Sequence, residues 1–480
     1  WLKRAAAEPW QLPQCIYPLA RASDKELLVQ GAAPSSASGG SLIKMIDAGL
    51  ILYVGLLVLL IWRFLSGWRL CGAWMEYANY CILLYVLLMV LNVWAIASFL
   101  RLAALPEGAA VWADVPHWLK AMMLGAPIAA VITYVMAFVQ TGQHVDEIRR
   151  GAATLKHDRA VQIIALPAVF GCMAMTALAK MYESRANFNT EDEMANSVKL
   201  PLNRWQVPSN STKQEVDQMY LAQIETCFHV ADVYEAWALF QFVKLTLDIL
   251  RSSLKKISEG DTGADAERRE VARGLLVAHK ALDSITYTGV VMFLVVCVGQ
   301  AGWALYRLTF TDPTLNGWES YNNQLSLFKA AGFIASAAAI YNVHIVESEF
   351  HCFFVGYSPL LKFVTVKILL SLAFFQAGAF YAIQTFNKTL PNVLQDVSKR
   401  IPFVADILQF NDSQFYLFYS SLILYECVLG VLLHWFAWSS SESFYLEHND
   451  VIEGDEEAIA EKTPLVDKTE KTSYSSWLFG

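Results

Sequence analysis

Residues 81–99 read CILLYVLLMVLNVWAIASF, and Asn92 is the most polar side chain among them. A helix of roughly 20 such residues is long enough to cross the hydrocarbon core of a bilayer, which is about 30 Å thick. The whole chain shares this character, because 55% of its 480 residues are hydrophobic, 17% are charged and the mean hydropathy is +0.36. These values lie outside the range typical of soluble domains and predict a polytopic membrane protein.

Eight more apolar runs of similar length occur along the chain, separated by polar segments. We therefore predict an all-α polytopic membrane protein with about nine spans. The predicted spans are residues 43–64, 77–100, 118–140, 160–180, 222–249, 282–306, 327–348, 360–386 and 414–437.

Loop charges and glycosylation sequons both predict the orientation. With nine spans the two chain ends lie on opposite sides, and Lys and Arg concentrate in loops 141–159 and 251–280, on the side of the C-terminus. The positive-inside rule then places the C-terminus in the cytosol and the N-terminus outside it. The N-x-[S/T] sequons at Asn210, Asn387 and Asn411 all fall on the opposite side, which agrees. Asn210 lies in a long loop and is the predicted glycosylation acceptor.

The fifth predicted span carries a stripe of polar side chains, which recur at intervals of three and four residues. Such a stripe should face protein or water rather than lipid. Lys244 and Asp248 are explained by an i,i+4 ion pair or by snorkelling to the interface. For Glu235 two readings stay open, a functional or bundle-internal role and a similar structural explanation. The stripe consists of Tyr234, Trp237, Gln241, Lys244 and Asp248, with Glu235 beside it.

The eighth predicted span contains PLLKFVTVKILLSLAFFQ, Pro359 to Gln376, which includes two lysines. Ionisable groups at membrane depth are costly, so each needs a partner, a wet cavity or an interface. Lys362 lies at the cytosolic edge, where snorkelling explains it, and at about 100° per residue it shares a helix face with Gln376. Lys367 lies deeper and requires a carboxylate, a carbonyl or an anionic ligand.

The ninth predicted span holds Glu426 near its middle and His434 toward its cytosolic end. Glu426 is either protonated, paired with a lysine such as Lys367, or part of a cavity lining. The polar cluster 342–347 of the seventh span lacks a spacing that selects a metal ion, so no metal site is predicted.

Other classes of function are disfavoured by what the sequence lacks. A net charge of −8 argues against nucleic-acid binding, which needs a clustered basic surface. The chain has no P-loop, no G-x-S-x-G or H-E-x-x-H motif, and no C-x-x-C pair. Buried polar groups without a catalytic constellation favour a transporter, a channel or a receptor over an enzyme, and no cofactor is predicted.

Three motifs, in residues 232–242, 359–376 and 422–438, occur in an order that resembles the organic solute transporter alpha / transmembrane protein 184 family, whose plant members include the lazarus proteins. The resemblance covers about residues 118–445. The chain departs from the family pattern at Cys427, where the family has Met, in the apolar IIAL before Pro167, and in two added N-terminal helices. The matching residues are Asp232, Tyr234, Glu235, Pro359, Lys362, Phe363, Lys367, Gln376, Glu426, His434 and Phe436, together with Pro167 and His144.

The resemblance implies a seven-helix core, residues 118–438, with its C-terminus in the cytosol. The two added helices then occupy residues 43–104, after an extracytosolic segment 1–42, and the acidic tail 439–480 is expected to be disordered. The family also implies movement of steroid-like or other amphipathic organic anions, in some members together with a single-span beta subunit. Its members reside in the plasma membrane or in vacuolar and endosomal membranes.

Our leading hypothesis is a carrier for amphipathic or steroid-like organic solutes that works without ATP hydrolysis, in contact with membrane lipids and as a homo-oligomer or with a beta subunit. Lys367 would neutralise the anionic group of the solute, or pair with Glu235 or Glu426 when the site is empty. The rings of Tyr234, Trp237 and Phe375 would contact its ring system. The predicted solute-binding residues are Tyr234, Glu235, Trp237, Gln241, Lys367, Gln376 and Glu426, and structural or interfacial roles fall to Pro167, Lys244, Asp248, Pro359, Lys362 and His434.

Two alternatives come from other classes of protein. One is a non-transporting seven-helix signalling or trafficking scaffold of endomembranes, and the other is an ion channel, although no filter motif is present. Cys352 lies in a short turn at the predicted membrane edge, where it is either an unmodified interfacial thiol or, as a hypothesis, a site of S-acylation.

Overall fold

The computed structural model describes the part of the chain from α1 onward, with gaps. The segment 1–42, the sequons at Asn210 and Asn387, and the residues Phe375 and Gln376 lie outside it. The described residues are 48–66, 77–104, 112, 115–150, 154–188, 213–259, 266–310, 315–354, 357, 359–368, 406–407, 410–442 and 445. All of them belong to one unit, residues 45–480.

Helices account for nearly all of the described residues, and no strand occurs among them, so the all-α prediction is confirmed. A 3₁₀ turn, His351–Phe353, follows the eighth helix. The helices are α1 (Ala48–Ser66), α2 (Tyr77–Ala104), α3 (His117–Arg149), α4 (Thr154–Ile164), α5 (Leu166–Phe188), α6 (Lys213–Glu259), α7 (Ala266–Phe310), α8 (Leu315–Phe350), α9 (359–368) and α10 (Asp412–Ala437).

Six helical stretches of the described chain are long and apolar enough to cross a membrane, which leaves the predicted number of nine spans undecided. The apolar stretch of α1, Leu50–Leu59, is shorter, and α6 is long enough but carries the polar stripe. The six stretches are Cys81–Ala104, His117–Arg149, Lys156–Glu183, Leu282–Arg307, Gln324–Val346 and Ser413–Ala437.

Helix α5 lies at the centre of the bundle, and the stretch that it forms with α4 is buried along its whole length. Five of its 23 residues are Ala, and these small side chains let α2, α3, α6 and α10 pack closely around it. Phe99 of α2 packs edge-to-face on Tyr182 of α5, with ring centroids 5.2 Å apart. One of the two added N-terminal helices is therefore part of the core.

A break at Ala165 separates α4 from α5, two residues before Pro167. Proline has no N–H to donate into the preceding turn, which favours a break at this point. The predicted loop 141–159 is much shorter in the structure, because α3 continues to Arg149 and α4 begins at Thr154. The four consecutive ionisable residues 156–159 are consequently buried in the bundle rather than exposed in a basic loop.

Helices α6 and α7 form a long antiparallel pair of 47 and 45 residues. At about 1.5 Å per residue each is roughly 70 Å long, which exceeds the thickness of a bilayer. The last turns of α6 and α10 and the first turn of α7 lie at the same end of the bundle. We call this the tail end.

The residues after α10 turn back onto the tail end of the bundle. We call residues 438–442 and 445 the C-terminal strap. Trp438 and Tyr445 are fully buried in it. The prediction of disorder from Ser439 is thus wrong for the first residues of the acidic tail, because two aromatic side chains provide enough apolar area to hold them in place.

Candidate functional site

Four helices meet at a buried ion pair between α9 and α6. The ammonium group of Lys367 lies 3.1 Å from Oε1 of Glu235, and the two side chains are 6% and 1% exposed. Lys367 also donates to the hydroxyl of Ser336 on α8 at 3.4 Å, and its ammonium lies 5.1 Å from the ring centroid of Phe293 on α7. Taking two charges out of water costs several kcal/mol per ion, and close pairing offsets part of that cost.

The Lys367–Glu235 pair leaves one polar atom unsatisfied. Oε2 of Glu235 is buried without a hydrogen-bond partner among the residues that the structure describes. The thiol of Cys297 on α7 is buried within electrostatic reach of the pair and of Asp232. The unsatisfied oxygen of Glu235 and the ammonium group of Lys367 can therefore both bind a polar ligand.

More polar contacts follow α6 away from the tail end. His229 lies 3.6 Å from the carboxylate of Asp232, and Nε2 of Gln300 on α7 lies 3.0 Å from His229 Nδ1. Farther along, Tyr416 of α10 donates to the carboxylate of Glu225 at 2.9 Å. Spacings of three and four residues place these groups, and Glu235, on one side of α6 over about 15 Å. The sequence analysis did not include His229 or Glu225 in the predicted stripe.

Tyr234 and Trp237, two predicted solute contacts, are hydrogen-bonded to the same residue of α4. The Tyr234 hydroxyl donates to the main-chain oxygen of Gln162 at 2.8 Å, and the Trp237 indole donates to its side-chain oxygen at 2.9 Å. Gln162 in turn donates to Asp158 at 2.9 Å. These rings pack α6 against α4, just before the break at Ala165.

Asp248, at the tail end of the stripe, has a partner on another helix. The guanidinium of Arg159 on α4 donates to its carboxylate and, at 3.2 Å, to the main-chain oxygen of Lys244. Gln241, a predicted binding residue, is buried on α6, and Glu426 is buried on α10. Glu235 and Glu426 were the two carboxylates predicted to pair with Lys367, and Glu235 is the one that does.

Lys362, predicted to snorkel at the cytosolic edge, forms an ion pair with the strap, and its position relative to a membrane stays a prediction. Its side chain is 2% exposed, and its ammonium donates to both carboxylate oxygens of Glu442 in the strap, at 3.0 and 2.7 Å. The rings of Tyr357 and Trp438 flank the ammonium, with centroids 4.9 and 5.4 Å away. Glu442 was out of reach of sequence reasoning because it follows the last span and belongs to an acidic segment expected to be disordered.

Trp438 anchors the strap to α9 and α3. Its indole donates to the hydroxyl of Thr365 at 3.2 Å, and Nε2 of His434 lies 3.0 Å from the main-chain oxygen of Thr365. Nε2 of Gln140 on α3 donates to the main-chain oxygens of His434 and Trp438, at 2.8 and 2.9 Å. The main-chain oxygen of Trp438 has no helical partner, so Gln140 satisfies it, whereas that of His434 also accepts from the Trp438 N–H at 2.9 Å.

Tyr445, the last described residue of the strap, packs against two histidines, His144 and His157. His144 Nε2 lies 3.2 Å from the main-chain oxygen of Trp438, and since a carbonyl only accepts, this nitrogen carries a proton. Nδ1 of His144 lies 2.9 Å from Nδ1 of His157, so in the neutral pair His157 is the donor. The Tyr445 ring stacks on His157 with centroids 4.2 Å apart. Burial, together with the charge of Glu442, raises the pKa of the Tyr445 phenol, which therefore stays neutral.

The remaining predicted positions lie near the start of α9. Pro359 is the first residue of α9, where its missing N–H costs nothing. Cys352 is an exposed free thiol, and its main-chain oxygen accepts from Arg268 of α7 at 3.0 Å. Within the described ranges no three His, Cys, Asp or Glu side chains come together as a metal site.

The described part of the chain is helical and has six stretches able to cross a bilayer, as in a multi-pass integral membrane protein. Residues 218–443, from α6 into the strap, match the sequence model of the organic solute transporter Ostalpha family. The match confirms over this segment the resemblance drawn from the three motifs, and it supports a membrane solute transporter. For residues 118–217 the resemblance stays a prediction. No curated protein and no solved structure matches the chain.

Proposed function

We propose that the protein is a carrier for amphipathic organic anions that works without ATP hydrolysis and binds the anionic group of the solute at Lys367. The observation that carries this proposal is the Lys367–Glu235 pair, which is buried where α6, α7, α8 and α9 meet. A lysine in that position needs an anion at all times, because an unpaired buried charge is strongly destabilising.

Exchange of anions is the mechanism that this pairing supports. When the site is empty, the Glu235 carboxylate neutralises Lys367. A carboxylate, sulfate or sulfonate on a solute offers the same acceptor atoms and can take the place of Glu235 on the ammonium. The ring of Phe293, beside the ammonium, offers an apolar surface to the hydrocarbon part of the solute.

The tail end of the bundle, on this proposal, faces the cytosol. Basic side chains at the ends of α6 and α7 support that orientation. The membrane is the plasma membrane or a vacuolar or endosomal membrane. The basic residues are Arg251, Lys255, Lys256, Arg268, Arg269 and Arg273.

Uptake of radiolabelled estrone sulfate into proteoliposomes tests the proposal. Loss of a charge-assisted contact weakens binding by about 1.5–3 kcal/mol, so Lys367→Met combined with Glu235→Gln should reduce uptake about tenfold or more. The double change removes both charges and so avoids leaving Glu235 buried without a counter-ion. Lys255→Met at the end of α6 is the matched control and should keep full uptake.

The result separates the carrier from its rival. If folded, monodisperse protein gives no uptake above empty vesicles, the carrier is wrong and the non-transporting scaffold gains support. If uptake is present but the double variant retains it, Lys367 is not the anion-binding group.

A further inference from the structure

Lys362 and its surroundings have the composition of a second anion site. The ammonium is enclosed by two aromatic rings, and Glu442 places both carboxylate oxygens on it. The main-chain N–H of Ser439 donates to one of these oxygens at 3.3 Å. Lys362 itself is 2% exposed, whereas the side chain of Glu442 is 21% exposed. The site therefore has a buried cation on one side and an opening to the tail end on the other.

The two cations of α9 lie in sequence along the axis of one helix. Lys362 is five residues nearer the tail end than Lys367, a rise of about 7.5 Å. Each is neutralised by a carboxylate from a different element, Glu235 of α6 and Glu442 of the strap. An anion that leaves Lys367 toward the tail end thus meets Lys362 as the next cation on α9.

Glu442 is the more easily displaced of the two carboxylates. Glu235 lies inside a helix of 47 residues, so it can leave its lysine only by changing rotamer or moving α6. Glu442 lies in a turn after α10 rather than inside a helix. Its neighbour Ser441 is exposed, and its own N–H donates to the main-chain oxygen of Ser439 at 3.3 Å. Because Lys362 is buried, removal of Glu442 is costly unless another anion takes its place.

We propose that Lys362 is a second anion-binding site and that Glu442 occupies it as a tethered substitute for the carboxylate, sulfate or sulfonate of the solute. This inference rests on the proposed function. The solute displaces Glu442 on its way to or from the tail end, and the strap moves with it. The strap therefore closes the path to the tail end while no solute is bound and opens by competition for one ammonium group.

The first test measures competition directly in estrone sulfate uptake. A tethered group competes at an effective concentration in the millimolar range, so Glu442→Gln should lower the apparent KM about tenfold. Glu442→Asp keeps the charge and should change it far less. Glu259→Gln removes a carboxylate from the exposed end of α6 and should leave the KM unchanged.

The second test reports strap movement without flux and does not require the Glu442 variant. In a background with Cys15, Cys71 and Cys352 replaced by serine, Tyr445→Cys places a thiol in the buried part of the strap, while Trp438 still holds its start through Thr365. Labelling by a membrane-impermeant maleimide should be slow in the empty protein and at least tenfold faster with saturating estrone sulfate. Neutral estrone should not accelerate it.

The outcomes distinguish this inference from the proposed function. Absence of estrone sulfate uptake by the unsubstituted protein overturns the carrier itself. If uptake is normal while Glu442→Gln leaves the KM unchanged and the solute leaves labelling unchanged, the second site is wrong. If vesicles of phosphatidylserine accelerate labelling and estrone sulfate does not, the site takes a lipid headgroup and the solute assignment is overturned.

Discussion

Lys367 donates a hydrogen bond to Glu235 over 3.1 Å, although 132 residues separate them along the chain. The pair joins α9 to α6 at a point where α7 and α8 also contribute side chains, so four helices meet at it. Lys362, five residues away on the same helix, is joined to the C-terminal strap instead.

The Lys367–Glu235 pair should show strong coupling in a double-mutant cycle. Glu235→Ala leaves a buried ammonium without its counter-ion and should destabilise the protein by about 3–5 kcal/mol, whereas Glu235→Gln with Lys367→Met should cost much less. Thermal unfolding of the purified protein in detergent measures both. Equal losses for the single and the double variant would contradict the coupling. Glu259→Gln serves as the exposed control.

Gln162 should be a stability centre between α4 and α6. Gln162→Leu removes the acceptor of the Trp237 indole and leaves a buried donor unsatisfied, which should cost about 1–3 kcal/mol. Tyr234→Phe removes one hydrogen bond and should cost about 1 kcal/mol. Tyr306→Phe, at an exposed position on α7, should leave the melting temperature unchanged. An unchanged melting temperature for Gln162→Leu would show that these bonds do not hold the two helices together.

Gln140 should hold the start of the strap in place. Gln140→Leu removes two hydrogen bonds to the end of α10 and should destabilise it by roughly 2 kcal/mol, at about 1 kcal/mol per bond. Limited proteolysis after Trp438 measures this, with faster cleavage expected in the variant. Gln143→Leu, exposed and one turn away on α3, is the matched control and should be cleaved like the parent.

The strap should loosen at alkaline pH. Burial raises the pKa of Tyr445 and Tyr357 above the ordinary value of 10.0, so both phenols are neutral in the folded protein. At a pH below 10.0 both phenols are protonated in the folded and in the unfolded protein, so their titration does not change the free energy of unfolding. At higher pH the unfolded protein loses these protons first, and the free energy of unfolding falls. Tyr445→Phe should therefore move alkaline unfolding to higher pH, while Tyr306→Phe should not. If alkaline unfolding of both variants had the same midpoint pH, a buried neutral Tyr445 would be contradicted.

Cys352 remains the predicted acylation site. It is an exposed thiol beside Phe353 and Phe354, in the turn between α8 and α9. Hydroxylamine-sensitive labelling of protein purified from membranes should be present in the parent and lost in Cys352→Ser. A parent that shows no such labelling would end the assignment.

Patterns formed by residues close together in the sequence made much of the fold predictable. Apolar runs of about 20 residues identified the membrane class and the helices, and three motifs identified the family, because each depends only on residues close in sequence. The same patterns placed α3 and α4 wrongly around residues 141–159, since a charged turn of helix that is buried by its neighbours resembles a loop when only hydropathy is considered.

The sequence by itself determined that this chain is a helical membrane protein with cations inside its spans, and it singled out Lys367. Only the tertiary structure decided which anion neutralises each cation: Glu235 for Lys367, Asp248 for Arg159, and Glu442 for Lys362. Helical periodicity states which face of a helix a residue occupies but not which helix lies opposite that face. The partners come from packing of elements far apart in the chain, and that packing also turned the start of a predicted disordered tail into the strap that covers Lys362.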